Sequence, residues 1–139
     1  MKLCNDTITV FNARVDPEQG GNVWEPTVIT GASWYLTDAS TVDASRGGLV
    51  AANKATVRIP EGAPAGGKVY ADPITYANAE DVSGLWTLQA GDVIVKASVT
   101  GAGWTPAKLK SVYADYVTVL GVTDNRRAPH APHWRVTAT

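Results

Sequence analysis

Short runs of β-branched and apolar residues, each cut off by a Gly- or Pro-rich turn, recur along the whole chain. This punctuation constrains the fold more than any other feature. Thr7-Ile8-Thr9-Val10-Phe11 alternates as a strand does. The turn sequence DPEQGGN at 16–22 follows, with Pro17 setting one φ and its glycines admitting positive φ. VITGASWYL at 28–36 predicts a long strand, and Gly31 inside it predicts a bulge or a bend at a barrel corner. Ala55-Thr56-Val57-Arg58-Ile59 puts Val57 and Ile59 on one face and Thr56 and Arg58 on the other, until Pro60 stops it. After the turn cluster EGAPAGG at 61–67, Lys68-Val69-Tyr70 starts a strand that Ile74-Thr75-Tyr76 continues beyond Pro73. Leu85-Trp86-Thr87-Leu88 leads to a tight turn at Gln89-Ala90-Gly91-Asp92. The segment 93–99 then turns Val93, Val95, Ala97 and Val99 inward. YVTVLGV at 116–122 and Trp134 to Thr137 supply the last strands.

One segment has helical rather than strand spacing. Thr105 is a good N-cap, Pro106 suits the first helical position, and Leu109, Val112, Tyr113 and Tyr116 form one stripe. A short helix near 105–114 is expected, its stripe used for packing. Together with about seven short strands, this predicts a mainly β fold, a small antiparallel barrel or sandwich. The exception is TDASTVDASRGGLVAAN at 37–53, rich in small residues and without a sustained period. It is too long for an ordinary hairpin connection, so it is expected to be a long mobile loop. The chain is read as a single β-barrel-like domain over 1–139 carrying that loop, a length that suits one core.

Charge narrows the functions available. The net charge of −1 gives no overall basic field to gather nucleic acid. The charge is uneven: residues 1–95 carry 6 Lys/Arg against 11 Asp/Glu, and residues 96–139 carry 6 against 2. Ends of opposite sign suit head-to-tail contact between copies. Charged residues make up only 18%, as expected of a surface partly covered by partners. The one cysteine, Cys4, allows no internal disulfide and fits a reducing compartment. No charged-then-apolar leader opens the sequence, and no apolar run approaches the ~20 residues of a membrane span. The chain is therefore expected to be made in a cytoplasm.

No motif for catalysis stands out. Gly47-Gly48 and Gly66-Gly67 lack the strand–loop–helix setting of a phosphate loop, and no Ser sits in a G-x-S-x-G elbow. Glu80-Asp81 and Asp16/Glu18 fall in turn regions, where solvated charge is the default. His130-x-x-His133 has a metal-ligand spacing, but Pro129 and Pro132 forbid the helix such pairs usually occupy. Arg126-Arg127 is open to phosphate, to a neighbouring subunit's carboxylate or to solvent. Five tryptophans are many for a core this small, so Trp24 and Trp104, beside turns, are candidate interface anchors.

The phrases NDTITVFNARVDPE, AANKATVRIP, SGLWTLQAGDVIVKA and VTVLGVTDNRRAPHAPHWRV resemble a family of short phage and prophage proteins described as minor capsid or head–tail joining proteins. The Gly91-Asp92-Val93 turn and the late strand pair also resemble head–tail stopper proteins. Those form a ring under the portal and adaptor, have a small β-barrel core, and send a long loop into the lumen. The resemblance implies a structural virion protein of the head–tail connector, or neck, of a tailed phage. It would be the stopper ring that retains packaged DNA and docks the tail, with no enzymatic turnover and no cofactor. The implied partners are the portal/adaptor ring above, the tail terminator or tail tube below, and copies of itself. Contact with packaged DNA would be transient, no membrane is involved, and the location is the virion's head–tail junction. Asp38, Asp43, Arg46, Gly47, Gly48 and Lys54 would then belong to the lumen loop. Trp24, Trp104, Arg126, Arg127, His130 and His133 would meet a neighbouring subunit or ring protein, with 123–133 a Pro-stiffened loop between the last strands. The late helix departs from the stopper pattern, which keeps an adaptor, a tail terminator or another capsid-associated protein as alternatives. An oligonucleotide-binding barrel and a small hydrolase are more distant ones.

Overall fold

The structure, a computed structural model, describes residues 5–15, 18, 20–43 and 48–139, without the side chains of 36–43 and 48–53. Cys4, Asp16, Pro17, Gln19, Arg46 and Gly47 lie outside the described residues. The strands are β1 Asp6–Val15, β2 Asn22–Asp43, β3 Gly48–Pro60, β4 Val69–Tyr70, β5 Leu85–Trp86, β6 Val93–Val95, β7 Tyr116–Asn125 and β8 His133–Ala138. The helices are α1 Pro73–Asn78 and α2 Pro106–Val112. Six strands form an antiparallel ring in the order β1-β2-β3-β8-β7-β6, and β6 closes it by pairing back to β1. The fold is thus mainly β, as the punctuation predicts. β2 and β7 each run through both walls of this barrel: β2 pairs first with β1 and then with β3, and β7 first with β6 and then with β8. Gly31 marks the change on β2. Its φ is +79°, and the β1–β2 register shifts opposite it, between Asp6 and Ile8. A Cβ would strain that conformation, so glycine makes the corner.

The barrel interior is filled from alternate positions of every strand. Ile8 and Val10 of β1, Ile29 of β2, Val57 and Ile59 of β3, and Val136 of β8 are fully buried there. Each such side chain contributes about 1.5–3 kcal/mol of burial. Residues 93–99 differ from the expected pattern. Only 93–95 is strand, and Ile94 is the residue that enters the interior. Val93, Val95 and Val99 face the other way, into a second cluster with Phe11 and Leu109. Helix α2 covers that outer wall, so β1 and β6 are apolar on both faces and simple alternation cannot tell inside from outside. Thr9, on the same outer face of β1, ties down the covering chain: its Oγ1 accepts from Val99 N at 2.9 Å and donates to Ala97 O at 2.6 Å.

Helix α2 begins as its sequence predicts, with Thr105 Oγ1 accepting from Lys108 N and Pro106 in the first turn. Leu109 is its only buried residue; Val112 is exposed, and Tyr116 already belongs to β7. The expected stripe is therefore narrower, because a seven-residue helix presents barely two turns to the wall. Ile74-Thr75-Tyr76 is not a strand continuation but the body of α1, capped by Asp72, whose carboxylate accepts from Thr75 N and Thr75 Oγ1. A short Asp-Pro start and a three-residue apolar run fit helix and strand alike, and the cap decided between them.

The largest departure is at 37–53. Its backbone is not a loop for most of its length: β2 and β3 stay paired from Thr37↔Lys54 to Asp43↔Gly48. Gly48, expected in the lumen loop, is the first residue of β3. Over this stretch, among the described residues, β2 and β3 pair only with each other, since β3 meets β8 no earlier than Ala55↔Ala138. Seven pairs at the rise of a strand make a ribbon reaching roughly 20 Å past the barrel. Among the described residues no third strand joins the ribbon, and a ribbon paired on one side only is not required to keep one apolar face, which fits a sequence without a strand's alternation.

Candidate functional site

The β7–β8 connection carries Arg126, Arg127 and His130, half of the residues expected to meet a partner, and His133 follows it as the first residue of β8. Strand pairing continues to Asn125↔His133, so the connection is only 126–132, shorter than the expected 123–133. Trp134 is the first inward residue of β8 and plugs this end of the barrel together with Tyr70 and Trp86. The three rings meet at centroid distances of 4.5–5.2 Å, two of the pairs edge-on. Arg126 closes the plug from outside. Its Cζ lies 5.1 Å from the centroids of both Tyr70 and Trp134. Its Nε and Nη2 grip Asp124 at 2.9 Å and 2.7 Å. That grip holds the Asp124 carboxyl down at about 2. Burial pushes the Tyr70 phenol up, with the nearby Arg126 cation opposing. Arg126 is therefore occupied by its own chain, as a cation–π lid. Among the described residues Arg127 has no such ring or carboxylate grip; with Glu61, Asp124 and Arg126 it lines an open, polar depression.

His133 is fastened by a 2.8 Å contact of Nδ1 with Ala131 O, and its Nε2 lies 3.4 Å from Asn125 Nδ2. Ala131 holds a φ of +51°, and that bend lets the chain turn in to His133. His130 is exposed. Among the described residues no three His, Cys, Asp or Glu side chains gather as metal ligands. Trp24 and Trp104 are half-buried against the second cluster, far from the plug in sequence and packing. Trp104 donates Nε1–H to Thr100 O, and Lys108 Nζ lies 5.1 Å from its ring. Lys54 is exposed at the base of the ribbon; Asp38 and Asp43 lie on β2 within the ribbon, their side chains undescribed.

Sequence reasoning missed a buried polar knot. Asn12 and Asp92 are 0% and 1% exposed. Asp92 accepts from Asn12 Nδ2 at 2.8 Å, Ala13 N at 3.2 Å and Gln89 N at 3.1 Å. Asn12 also donates to Thr87 O at 2.6 Å and accepts from Thr87 N. Burial raises the Asp92 carboxyl to about 6, with the three donors pulling the other way. The knot clamps the chain between β5 and β6 onto β1. Its trace in the sequence is Asn12, a poor strand former placed within TITVFNARV.

The fold and site thus define a small closed β-barrel protein with an aromatic plug under an arginine lid and one projecting hairpin. The chain belongs to a family of unknown function, DUF6751, whose model matches residues 3–139. No curated protein and no solved structure matches it. Among the described residues no helix is long and apolar enough to cross a membrane.

Proposed function

We propose that the protein is a structural component of a tailed-phage neck, a stopper that sits as a ring at the head–tail junction, retains packaged DNA and docks the tail. The observation that carries this reading is the β2–β3 ribbon, which leaves the closed barrel and, among the described residues, pairs with no other strand. A ring of barrels with inward ribbons narrows a channel without needing a catalytic group. A two-stranded ribbon can bend at its base while keeping its own ladder, so it can block and then yield. The arginine-lidded end, at the other end of the barrel from the ribbon, is the surface for the adjoining ring, with Arg127 and His130 exposed on it. The portal/adaptor above, the tail terminator or tail tube below, and passing DNA are the partners on this reading.

The test is deletion of residues 44–50, which leaves Ser40↔Ala51 as the last pair of a shortened hairpin. The barrel is expected to stay folded while packaged DNA leaks from tailless heads. A reconstruction of the intact particle should show the ribbon in the lumen. Heads that keep their DNA with the shortened hairpin, or a ribbon on the outer wall, would overturn the stopper role.

A further inference from the structure

We infer that copies of this chain join head to tail, the outer wall of β3 and β8 in one copy receiving the acidic α1 region of the next. In the ring order β1-β2-β3-β8-β7-β6, the wall made by β1 and β6 lies across the barrel from β3 and β8. The first wall is covered by α2 and the chain before it; on the second, among the described residues, the outward side chains Arg135 and Thr137 are exposed and Thr56 and Arg58 half-buried. On that wall Arg58 and Arg135 are directly paired across the strands, both on the outward parity. Like charges in that position repel at roughly 5 Å between Cβ atoms. Among the described residues neither guanidinium has a carboxylate partner. The cross-strand rows through them read Ser33–Arg58–Arg135–Thr123 and Tyr35–Thr56–Thr137–Gly121, without Asp or Glu. Tyr35 stands 61% exposed beside them, an apolar anchor for whatever covers the wall.

The complement is on the same chain. Residues 69–95 hold Asp72, Glu80, Asp81 and Asp92 and no Lys or Arg. Asp92 is buried, but Asp72, Glu80 and Asp81 are exposed around α1, where Ile74 stands 75% exposed. Helix α1 is tied to the far end of β1 by Arg14, whose Nη2 donates to Ala79 O. β1 lies three strands round the ring from β8. Glu80 and Asp81, beside the end of α1 that Arg14 ties to β1, and the arginine pair on β3 and β8 lie on different faces of one barrel. They make a heterologous contact, the kind that propagates into rings or filaments. A duplex-DNA occupant fits the arginines less well, because the chain as a whole is net negative. The inference stands without the neck reading, since head-to-tail joining is a property of the chain wherever it acts.

Sedimentation velocity at low ionic strength tests it, where exposed charge pairs are least screened. The wild-type chain should sediment faster as its concentration rises. Arg58→Glu/Arg135→Glu and, separately, Glu80→Lys/Asp81→Lys should weaken that association by about tenfold or more, and an equimolar mixture of the two should restore it. Circular dichroism checks that each variant is folded. Zero-length carbodiimide coupling of an Arg135→Lys variant should join Lys at that position to Glu80 or Asp81 of another copy. Absence of association and of cross-links in folded protein, or failure of the mixture to recover, overturns the inference. So does binding of a short DNA duplex that Arg58→Glu/Arg135→Glu abolishes, which would assign the wall to nucleic acid.

Discussion

Asp92 shows how one side chain can serve two masters. Its three donors require an acceptor, and its burial disfavours the charge that accepts best. Replacing it with Ala leaves those donors buried and unpaired, so Asp92→Ala should lose about 2–4 kcal/mol in denaturant unfolding. The pH dependence has a definite sign. A carboxyl raised from 3.8 to about 6 binds its proton more tightly in the folded chain, so its contribution to stability falls as pH rises between those values. Asp124, held at about 2 by Arg126, acts oppositely, and its contribution is lost only as pH falls below the ordinary carboxyl range. Unfolding midpoints measured across this range should therefore improve on acidification from neutral pH toward 3.8 and decline below it. Asp92→Asn should flatten the improving limb. Arg126 makes a different kind of contribution, as a plane laid on two rings. Arg126→Lys keeps the charge but not the fork or the stack, and should cost about 1 kcal/mol and shift the fluorescence of Trp134 toward that of a wetter indole.

At the scale of elements, α2 behaves as a buttress with a single key. Leu109→Ala should destabilise the fold by about 2–5 kcal/mol, whereas Val112→Ala, at an exposed position, should fall within about 0.5 kcal/mol of wild type. Thr105→Ala removes the cap and should cost about 1 kcal/mol. Denaturant melts of the three variants rank them, and a cost at Val112 equal to that at Leu109 would contradict the single-key packing. Much of this element was legible beforehand, because caps are local chemistry written in adjacent residues. The orientation of β6 was not. Val93-Ile94-Val95 is apolar throughout, and which face enters the barrel depends on α2 arriving over the outer wall more than ten residues later. The ribbon was illegible for a related reason: its pairing is set by the barrel that launches it, and among the described residues no third strand joins it.

For the molecule as a whole, closure rests on its shortest barrel strand. β6 contributes only three pairs to each neighbour, Thr9↔Val95 to Phe11↔Val93 on one side and Val93↔Thr118 to Val95↔Tyr116 on the other. Two seams of the ring, β1 with β6 and β3 with β8, join strands far apart in the sequence, as Thr9↔Val95 and Ala55↔Ala138 show, so folding should be slow for this size, in the range of milliseconds to seconds. Stopped-flow refolding monitored by tryptophan fluorescence checks that. A contact between copies made of exposed charges is weak. At physiological salt and micromolar concentration the purified chain should therefore sediment as a monomer or weak oligomer. A stable high-order ring under those conditions would contradict this.

The sequence by itself determined the β class, the turns, the Gly31 corner, the α2 cap and the absence of a familiar catalytic motif. Each of these depends on residues within a few positions of one another. It also placed Arg126, Arg127 and His130 in one connection, with His133 just beyond it, because they are neighbours in the chain. Only the tertiary structure decided that Arg126 is spent on Tyr70 and Trp134, that Asn12 reaches Asp92 across 80 positions, and that Arg58 stands beside Arg135. Those meetings follow from strand register, which is set by the filling of the barrel as a whole, and no local pattern encodes it.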